Sequence, residues 1–308
     1  MKLGFLYAGQ GSQHPGMGAD LYEQYAAFRA VFDQPQLDFD LKQMCFTDAE
    51  GLLGQTRYTQ PCMVAFAAGL TAVLKEMGIV PDVAAGLSLG EYSALHAAGV
   101  LDGKTAVELA AFRGQAMERS AAGVESAMVA VLGLEREALQ AVCREASGLG
   151  IVTIANYNCP GQLVIGGEKA AVERAAVLAK EAGARRCLPL RVSGPFHTPL
   201  MQKAGEELTE YFKTISFRVP NIPVVFNCLG DCMPEGESVP NLLVRQVQSS
   251  VYMEDSIRRM AQLGVDAFVE IGPGNALTGF VRRTLPGAKV YTVETVEDIE
   301  KLRKELGL

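Results

Sequence analysis

The sequence Gly86-Leu87-Ser88-Leu89-Gly90 lies between a short apolar run, 83–85, and a run of good helix formers, so it predicts a tight strand-to-helix turn. A serine with glycines two positions before and after it on such a turn matches the nucleophile elbow pattern. Glycines let the neighbouring backbone pass close to the serine. The helix that follows would direct its N–H groups and positive dipole end at an oxyanion. The alternative is an ordinary turn of small residues, because such short motifs recur by chance.

The composition is that of a globular protein, with 308 residues, 49% hydrophobic and 20% charged, and a net charge of −7. No basic block stands out, which argues against nucleic acid as a partner. The seven cysteines form no CxxC pair and no cluster with histidine, so they indicate a reducing compartment and predict no metal site. The apolar N-terminal run is too short for a signal peptide, and no span is long enough for a membrane helix. We therefore expect a cytoplasmic protein that does not contact a membrane.

Strands alternate with helices through most of the chain, which predicts the α/β fold class. Four apolar strands share this pattern: 3–7, 83–85, 224–226 and 266–270. They would form an α/β-hydrolase-like, mainly parallel sheet whose strand carboxyl ends carry the site. Residues 126–191 instead predict β-α-β-β-α-β, the ferredoxin-like arrangement. We therefore predict a large catalytic domain from residues 1–124 and 193–308, and a small inserted ferredoxin-like domain at 125–192.

Three helices are predicted around the elbow, at about Gly18–Phe32, Gln60–Met77 and Asp102–Arg119. Proline is tolerated in the first turn of a helix, so Gln60-Pro61 is taken as the start of the second helix. Asp102 is expected to cap the third helix. The polar chain before Gly54 is expected to be irregular.

Arg113 lies on the apolar face of the third helix. Its neighbours one turn away are Leu109, Ala110, Ala116 and Met117, so no acid on this helix pairs with it. A guanidinium in this position either extends along the apolar surface to reach water or faces a pocket that receives an anion.

A serine needs a base, and near neutral pH that base is a histidine. Of the three histidines, His96 lies eight positions after Ser88 on one helix, roughly 12 Å along the axis and out of reach. His14 lies in the N-terminal loop, and nothing in the sequence orients it. His197 follows a strand and is flanked by prolines, so it is favoured as the base. The group that orients it is either Glu270, by position, or a backbone carbonyl.

The loop after the first strand, Gly9-Gln10-Gly11-Ser12-Gln13, lacks the third glycine of a dinucleotide fingerprint and has no Gly-Lys-Ser. We favour a loop that presents backbone N–H groups to a ligand over a plain turn. Six further motifs accompany it: Tyr58-Thr59-Gln60-Pro61, Gly86 to Leu95, Arg113-Gly114, Asn156 to Gln162, His197 with Pro199-Leu200-Met201, and Glu270-Ile271-Gly272-Pro273-Gly274. Their order and spacing, over nearly the whole chain, resemble the malonyl-CoA:acyl carrier protein transacylase family of bacterial type II fatty acid synthesis.

The resemblance implies a ping-pong transfer. Ser88 would attack the malonyl thioester with His197 as base, coenzyme A would leave, and the pantetheine thiol of an acyl carrier protein would accept the malonyl group. No cofactor is implied beyond malonyl-CoA as substrate, and we expect a monomer. The carrier is usually acidic in this family, so a local basic patch is expected, for which the candidates are Arg185, Arg186, Arg191 and Arg245.

The resemblance also assigns roles to further residues. The backbone N–H groups of Gln10 and Leu89 would form the oxyanion hole, and Arg113 would hold the malonyl carboxylate by two parallel hydrogen bonds. The backbone carbonyl of Gln246 would orient His197. Four more residues are expected to bind substrate: Gln60, Met117, Asn158 and Phe196. Met117 and Phe196 resemble residues that narrow the pocket to malonyl over α-branched units.

The sequence departs from the family pattern at two places. Leu87 stands where the family usually has histidine, which removes a polar group beside the acyl site. The segment Arg245-Gln246-Val247-Gln248-Ser249-Ser250-Val251 replaces the common Arg-Gln-Leu-Tyr-Asn-Pro-Val, which puts the position of the Gln246 carbonyl in question.

Three other functions are consistent with parts of the sequence. A free-standing polyketide malonyltransferase would use the same chemistry with a different carrier. A serine esterase would normally have its histidine near the C-terminus and has no need for Arg113. A non-catalytic binding module is the weakest alternative, because serine, base and anion holder occur together.

Overall fold

The structure is a computed structural model that describes residues 1–308. The strands are β1 (Leu3–Tyr7), β2 (Val83–Gly86), β3 (Ser126–Leu132), β4 (Val152–Cys159), β5 (Gln162–Glu168), β6 (Arg186–Pro189), β7 (Val224–Phe226), β8 (Asp231–Cys232), β9 (Val251–Tyr252), β10 (Ala267–Ile271) and β11 (Lys289–Val293).

The α-helices are α1 (Ala19–Gln24), α2 (Ala26–Phe32), α3 (Leu41–Phe46), α4 (Thr56–Glu76), α5 (Gly90–Ala97), α6 (Gly103–Ala121), α7 (Arg136–Ala146), α8 (Lys169–Glu181), α9 (Gln202–Phe212), α10 (Val239–Val247), α11 (Met253–Gln262), α12 (Ala276–Thr284) and α13 (Val296–Leu306). Two short 3-10 helices span Ser147–Leu149 and Pro199–Met201. No helix combines the length and the apolar character that crossing a bilayer requires.

The chain forms two compact units. The first consists of Met1–Gln115, Ile215–Val225 and Arg259–Leu308, and the second of Ala116–Thr214 and Phe226–Arg258. The predicted α/β fold class is confirmed, because each unit has its own sheet with helices packed against it.

Parallel strands of the first unit lie in the order β11-β10-β1-β2-β7. Every residue of β1, β2 and β10 is buried, as expected for parallel strands that are covered on both faces. Leu6 pairs with both Glu270 and Ala85, so the carboxyl ends of these three strands lie level. The loop after β1, the elbow after β2 and the turn after β10 therefore leave the sheet at one edge.

The sheet of the second unit has the order β6-β3-β5-β4-β9. Its first four strands pair antiparallel and, with α7 and α8, form the β-α-β-β-α-β arrangement predicted for residues 126–191. The core of this part is made of aliphatic side chains such as Val131, Leu139, Ile165 and Val172. The last strand, β9, was not predicted. It pairs parallel with β4 and adds residues from far along the chain to this sheet.

The second unit is therefore more extensive than residues 125–192. Contacts of α9 with α10 and of β9 with β4 place residues 193–214 and 226–258 in this unit as well. The inserted stretch predicted from the sequence, residues 125–192, lies wholly within the second unit. Whether it is a separate domain stays a prediction.

Three local predictions differ from the structure. The helix expected at 18–32 is two helices, because Tyr25 is extended (φ −115°, ψ 121°) and separates α1 from α2. Helix α4 begins at Thr56, which places Pro61 inside it. The stretch expected to be irregular contains α3, whose N-cap Asp40 accepts a hydrogen bond from the Gln43 N–H at 2.9 Å. The predicted cap at Asp102 is present, accepting from Thr105 N–H at 2.8 Å.

Helix α6 passes very close to the start of α4 at Gly114. A Cβ at this position would lie 2.8 Å from the backbone oxygen of Thr56 and 3.1 Å from the Cα of Arg57. Because backbone atoms cannot rotate away, only glycine allows this approach. The contact brings residue 113 on α6 next to the first turns of α4.

We predict that Gly114→Ala destabilises the protein by about 1–3 kcal/mol, because the added methyl overpacks a rigid contact. Gly279 on α12 is a matched control, since a Cβ there would meet no atom within 4 Å. Gly279→Ala should stabilise the protein by about 0.5–1 kcal/mol through helix propensity. Urea denaturation followed by circular dichroism measures both free energies of unfolding. Stabilisation by both alanines would contradict the close contact.

Candidate active site

Ser88 lies on the turn between β2 and α5 with φ +52°, a left-handed conformation that is rare for residues other than glycine. The flanking glycines explain how the turn is possible. A Cβ on Gly86 would collide with the backbone of Gly90, and a Cβ on Gly90 with the carbonyl oxygen of Tyr7. The structure therefore contains the strained strand-to-helix elbow that the sequence predicts.

The loop after β1 packs directly against this elbow. A Cβ on Gly9 would lie 2.5 Å from the carbonyl oxygen of Leu87, and the Leu87 N–H donates to the Tyr7 carbonyl at 3.0 Å. The Gln10 side chain is held by a 3.0 Å hydrogen bond from its Nε2 to Thr56 Oγ1. The backbone N–H groups of Gln10 and Leu89 donate to no other group of the protein. Both are available to an oxyanion, which is the role that the resemblance implies for them.

Arg113 is fully buried and lies against the elbow. Its Nη2 donates to Ser88 Oγ at 3.2 Å, and its Nη1 donates to Gln60 Oε1 at 2.9 Å. The side chain does not reach water, so of the two alternatives drawn from the sequence the extension to solvent is wrong. A guanidinium directed at the serine oxygen can receive an anionic group attached to that oxygen.

Two neighbours that sequence reasoning did not single out share the environment of Arg113. The Tyr92 ring lies 5.2 Å from the guanidinium carbon, within cation–π range, and Glu91 is fully buried. Burial lowers the pKa of Arg113, while Tyr92 and the Glu91 charge act in the opposite direction. Both residues lie in the first turn of α5. Their place in the sequence, directly after the elbow serine, was the one feature from which a position near Arg113 could have been predicted.

His197 is buried in the second unit and also has a left-handed backbone, with φ +61°. Its Nδ1 lies 2.9 Å from the backbone oxygen of Gln246. A carbonyl only accepts, so Nδ1 carries the proton and Nε2 of the neutral ring keeps its lone pair. The next residue, Thr198, donates from Oγ1 to the Pro195 carbonyl at 2.6 Å and closes the turn around the histidine. The ring therefore has the tautomer that a general base needs.

The substituted segment after Arg245 still places the Gln246 carbonyl on the histidine. Gln246 is buried near the end of α10, and Ser250 donates to the Ile154 carbonyl at 2.7 Å. Glu270, the alternative partner considered from the sequence, has a different role. Its carboxylate accepts from the Leu277 and Thr278 N–H groups at 2.9 and 2.7 Å, at the start of α12.

The other two histidines have partners of their own. His96 Nδ1 lies 3.1 Å from the Leu101 carbonyl, and burial lowers the pKa of this histidine. His14 is exposed and contacts Glu294 and the Pro15 carbonyl.

Three predicted substrate-binding residues belong to the second unit and are buried: Met117 on α6, Asn158 on β4 and Phe196 next to the histidine. Asn158 Oδ1 has no hydrogen-bond partner, which leaves it available to a ligand. The structure brings Ser88, Arg113 and Gln60 together in the first unit, and His197 and Gln246 together in the second. No group of three or more metal-ligating side chains occurs.

Comparison with known proteins identifies a family. The model of the acyl transferase domain matches residues 4–307. A malonyl CoA-acyl carrier protein transacylase of Bacillus subtilis is 42% identical over 302 residues, covering 97% of this chain and 95% of that protein. The protein of the same name from Haemophilus influenzae is 39% identical over 309 residues, covering 99% of each.

Solved structures agree with the sequence relatives. The malonyl CoA-acyl carrier protein transacylase of Clostridium perfringens superposes with a TM-score of 0.97 at 38% identity, covering 100% of this chain and 98% of that one. A malonyl-transacylase solved in complex with its type II polyketide synthase acyl-carrier protein has a TM-score of 0.94 at 36% identity, covering 99% and 100%. The elbow, the buried arginine and these relatives together show that the chain belongs to the acyl transferase family of malonyl CoA-acyl carrier protein transacylases.

Proposed function

We propose that this protein transfers the malonyl group of malonyl-CoA to the pantetheine thiol of an acyl carrier protein, through a malonyl ester on Ser88, and so supplies fatty acid synthesis. The observation that carries the proposal is the buried Arg113, whose guanidinium donates to the oxygen that would be acylated. Ordinary serine hydrolases have no need for a buried cation at that oxygen, whereas an acyl group with a free carboxylate does.

The short distance between the Arg113 guanidinium and Ser88 Oγ favours a short acyl unit with a second carboxylate. Arg113 Nη2 lies 3.2 Å from Ser88 Oγ. With bonds of about 1.5 Å, the carboxylate carbon of a malonyl ester lies at most about 4 Å from Oγ. A carboxylate at that distance can fold back onto the guanidinium, which Gln60 holds from the other side. A longer chain would carry its carboxylate past the guanidinium.

The proposed reaction has two balanced halves. His197 Nε2 removes the proton from Ser88 Oγ, the oxygen bonds to the thioester carbon, and the C–S bond breaks as coenzyme A leaves with the proton from His197. In the second half the carrier thiol gives its proton to His197 and its sulfur bonds to the ester carbonyl carbon. The bond from that carbon to Ser88 Oγ then breaks, and Ser88 Oγ takes the proton back from His197. The N–H groups of Gln10 and Leu89 stabilise the oxyanion in both halves. Support for His197 as the base comes from the tautomer that the Gln246 carbonyl imposes.

The second candidate function is that of a polyketide malonyltransferase, which differs from the first only in the carrier protein that accepts the malonyl group. One structural relative was solved with a polyketide carrier, and this favours it as the second candidate. A serine esterase is disfavoured by Arg113.

We further propose that the enzyme works in the cytoplasm as a monomer without a cofactor. The candidate basic residues of a carrier-binding patch, Arg185, Arg186, Arg191 and Arg245, are all exposed, which supports that assignment.

We predict that incubation with malonyl-CoA raises the intact mass of the protein by one malonyl group, and that Ser88→Ala abolishes the gain because the acceptor oxygen is lost. Ser93, on helix α5 directly after the elbow, is the matched control, and Ser93→Ala should still be loaded. Added holo acyl carrier protein should then remove the malonyl group and acquire it. An undiminished mass gain in Ser88→Ala would rule out the serine intermediate, and release of free malonate alone would indicate an esterase.

We predict that Arg113→Ala lowers kcat/KM for malonyl-CoA by at least about 30-fold, since breaking a buried, hydrogen-bonded charge pair costs about 2 kcal/mol or more. Loading from acetyl-CoA, which has no free carboxylate, should not fall in parallel. Arg119→Ala is the control on the same helix, because Arg119 is half exposed and pairs with Glu207. Equal losses for both substrates in Arg113→Ala would show that Arg113 does not select the carboxylate.

A further inference from the structure

His14 lies in the loop that carries Gln10, and both of its ring nitrogens face oxygen acceptors. Nδ1 lies 3.0 Å from the Pro15 carbonyl, and Nε2 lies 2.5 Å from the Glu294 carboxylate. A neutral imidazole has one N–H and one lone pair, so it can satisfy only one of these two acceptors. The imidazolium form satisfies both. The geometry therefore favours a charged His14, and these same two partners raise its pKa.

Glu294 connects His14 to the turn after β10. It follows β11, and its second carboxylate oxygen accepts from the Gly274 N–H at 2.9 Å, in the turn after β10. Its own N–H donates to Asp298 at 3.1 Å. Other acids near Glu294 are Glu270 and Asp20, and Asp20 accepts from the Val296 N–H at 2.9 Å. The charge of Glu294 raises the pKa of His14.

The loop between these contacts is short and tightly constrained. Its first residue, Ala8, donates to the Ile271 carbonyl at 3.0 Å, and the Ser12 hydroxyl donates to the Gly9 carbonyl at 3.2 Å. A Cβ on Gly274 would lie 3.4 Å from Ser12. Between the anchor at Ala8 and the anchor at His14 lies Gln10, whose N–H is the proposed oxyanion donor. Gln10 therefore lies on a segment that is held at both ends.

We propose that the ion pair between His14 and Glu294 is a positioning contact that holds the oxyanion loop against the turn at 272–274, and that it loosens when His14 loses its proton. The inference rests on the proposed function, because it assigns Gln10 to the oxyanion hole. His14 touches neither substrate nor Ser88 in this role and acts only through the loop.

The direction of the pH effect follows from the raised pKa of His14. A group whose pKa is higher in the folded state contributes fully below its ordinary pKa of about 6.5 and loses its contribution as pH rises through the higher folded value. The contact is thus complete in mild acid and weakens towards alkaline pH. A general base acts in its neutral form, so rising pH would favour His197 as base while it weakens the His14 contact, and the two effects oppose one another.

The test compares wild type with His14→Lys, which keeps a cation beside Glu294 at every pH used, and with Glu294→Gln. The rate of Ser88 malonylation is measured by rapid-quench mass spectrometry from pH 6 to pH 9. The wild-type to His14→Lys rate ratio cancels the His197 ionisation and should fall by about two- to fivefold as pH rises, the size expected for a half-exposed ion pair. Nuclear magnetic resonance titration of the three histidines follows His14 directly, and Glu294→Gln should lower its midpoint towards about 6.5.

A rate ratio that is constant with pH, or a His14 midpoint that Glu294→Gln leaves unchanged, would overturn the proposal while leaving malonyl transfer intact. Absence of malonylation in wild type and both variants would instead overturn the proposed function, and the link between His14 and catalysis with it. A falling ratio together with the shifted midpoint supports the positioning role, because a merely structural histidine would change the rate equally at every pH.

Discussion

The candidate active site depends on a guanidinium that is held out of water. Removing a charge from water costs several kcal/mol, even after the surrounding protein relaxes, so Arg113 stays buried only because its surroundings compensate. Gln60 Oε1 and Ser88 Oγ accept its hydrogen bonds, the Tyr92 ring lies within cation–π range and the Glu91 charge favours its ionised form. These partners come from three segments, the elbow and helices α4 and α5. The close contact at Gly114 brings α6 against α4 and allows all of them to converge.

The candidate site also depends on backbone strain at Ser88 and His197. Of the three non-glycine residues with positive φ, two are Ser88 and His197. Such conformations cost about 1–3 kcal/mol each and persist only where the surrounding structure determines them. At Ser88 that structure is the glycine-lined crossing of Gly86, Gly90 and the end of β1. At His197 it is the hydrogen bond to Gln246 and the turn closed by Thr198. In both units the strained residue is one to which the proposed reaction assigns a chemical role.

The carboxyl ends of β1, β2 and β10 lie level, and this places the three segments of the candidate site that follow these strands side by side. From β1 comes the loop with Gln10 and His14, from β2 the elbow, and from β10 the turn that Glu294 binds. Loops at this edge of a parallel sheet are common ligand sites because strand ends converge there while the core stays packed. The anchors of the Gln10 loop, including one that depends on a histidine proton, follow from this arrangement.

The sequence by itself determined much of this protein. Apolar runs and glycine spacing predicted the parallel sheet, the ferredoxin-like insertion and the elbow at Ser88, because these depend on short-range pattern and on backbone that only glycine permits. Arg113 was recognisable as a charge on an apolar helix face, because its neighbours one turn away are all apolar. The tertiary structure alone decided the rest. Strand β9 joins β4 from about a hundred residues away, Glu270 caps a helix, and His14 meets Glu294 across 280 positions. Such contacts depend on where distant segments meet in space, which no local pattern encodes.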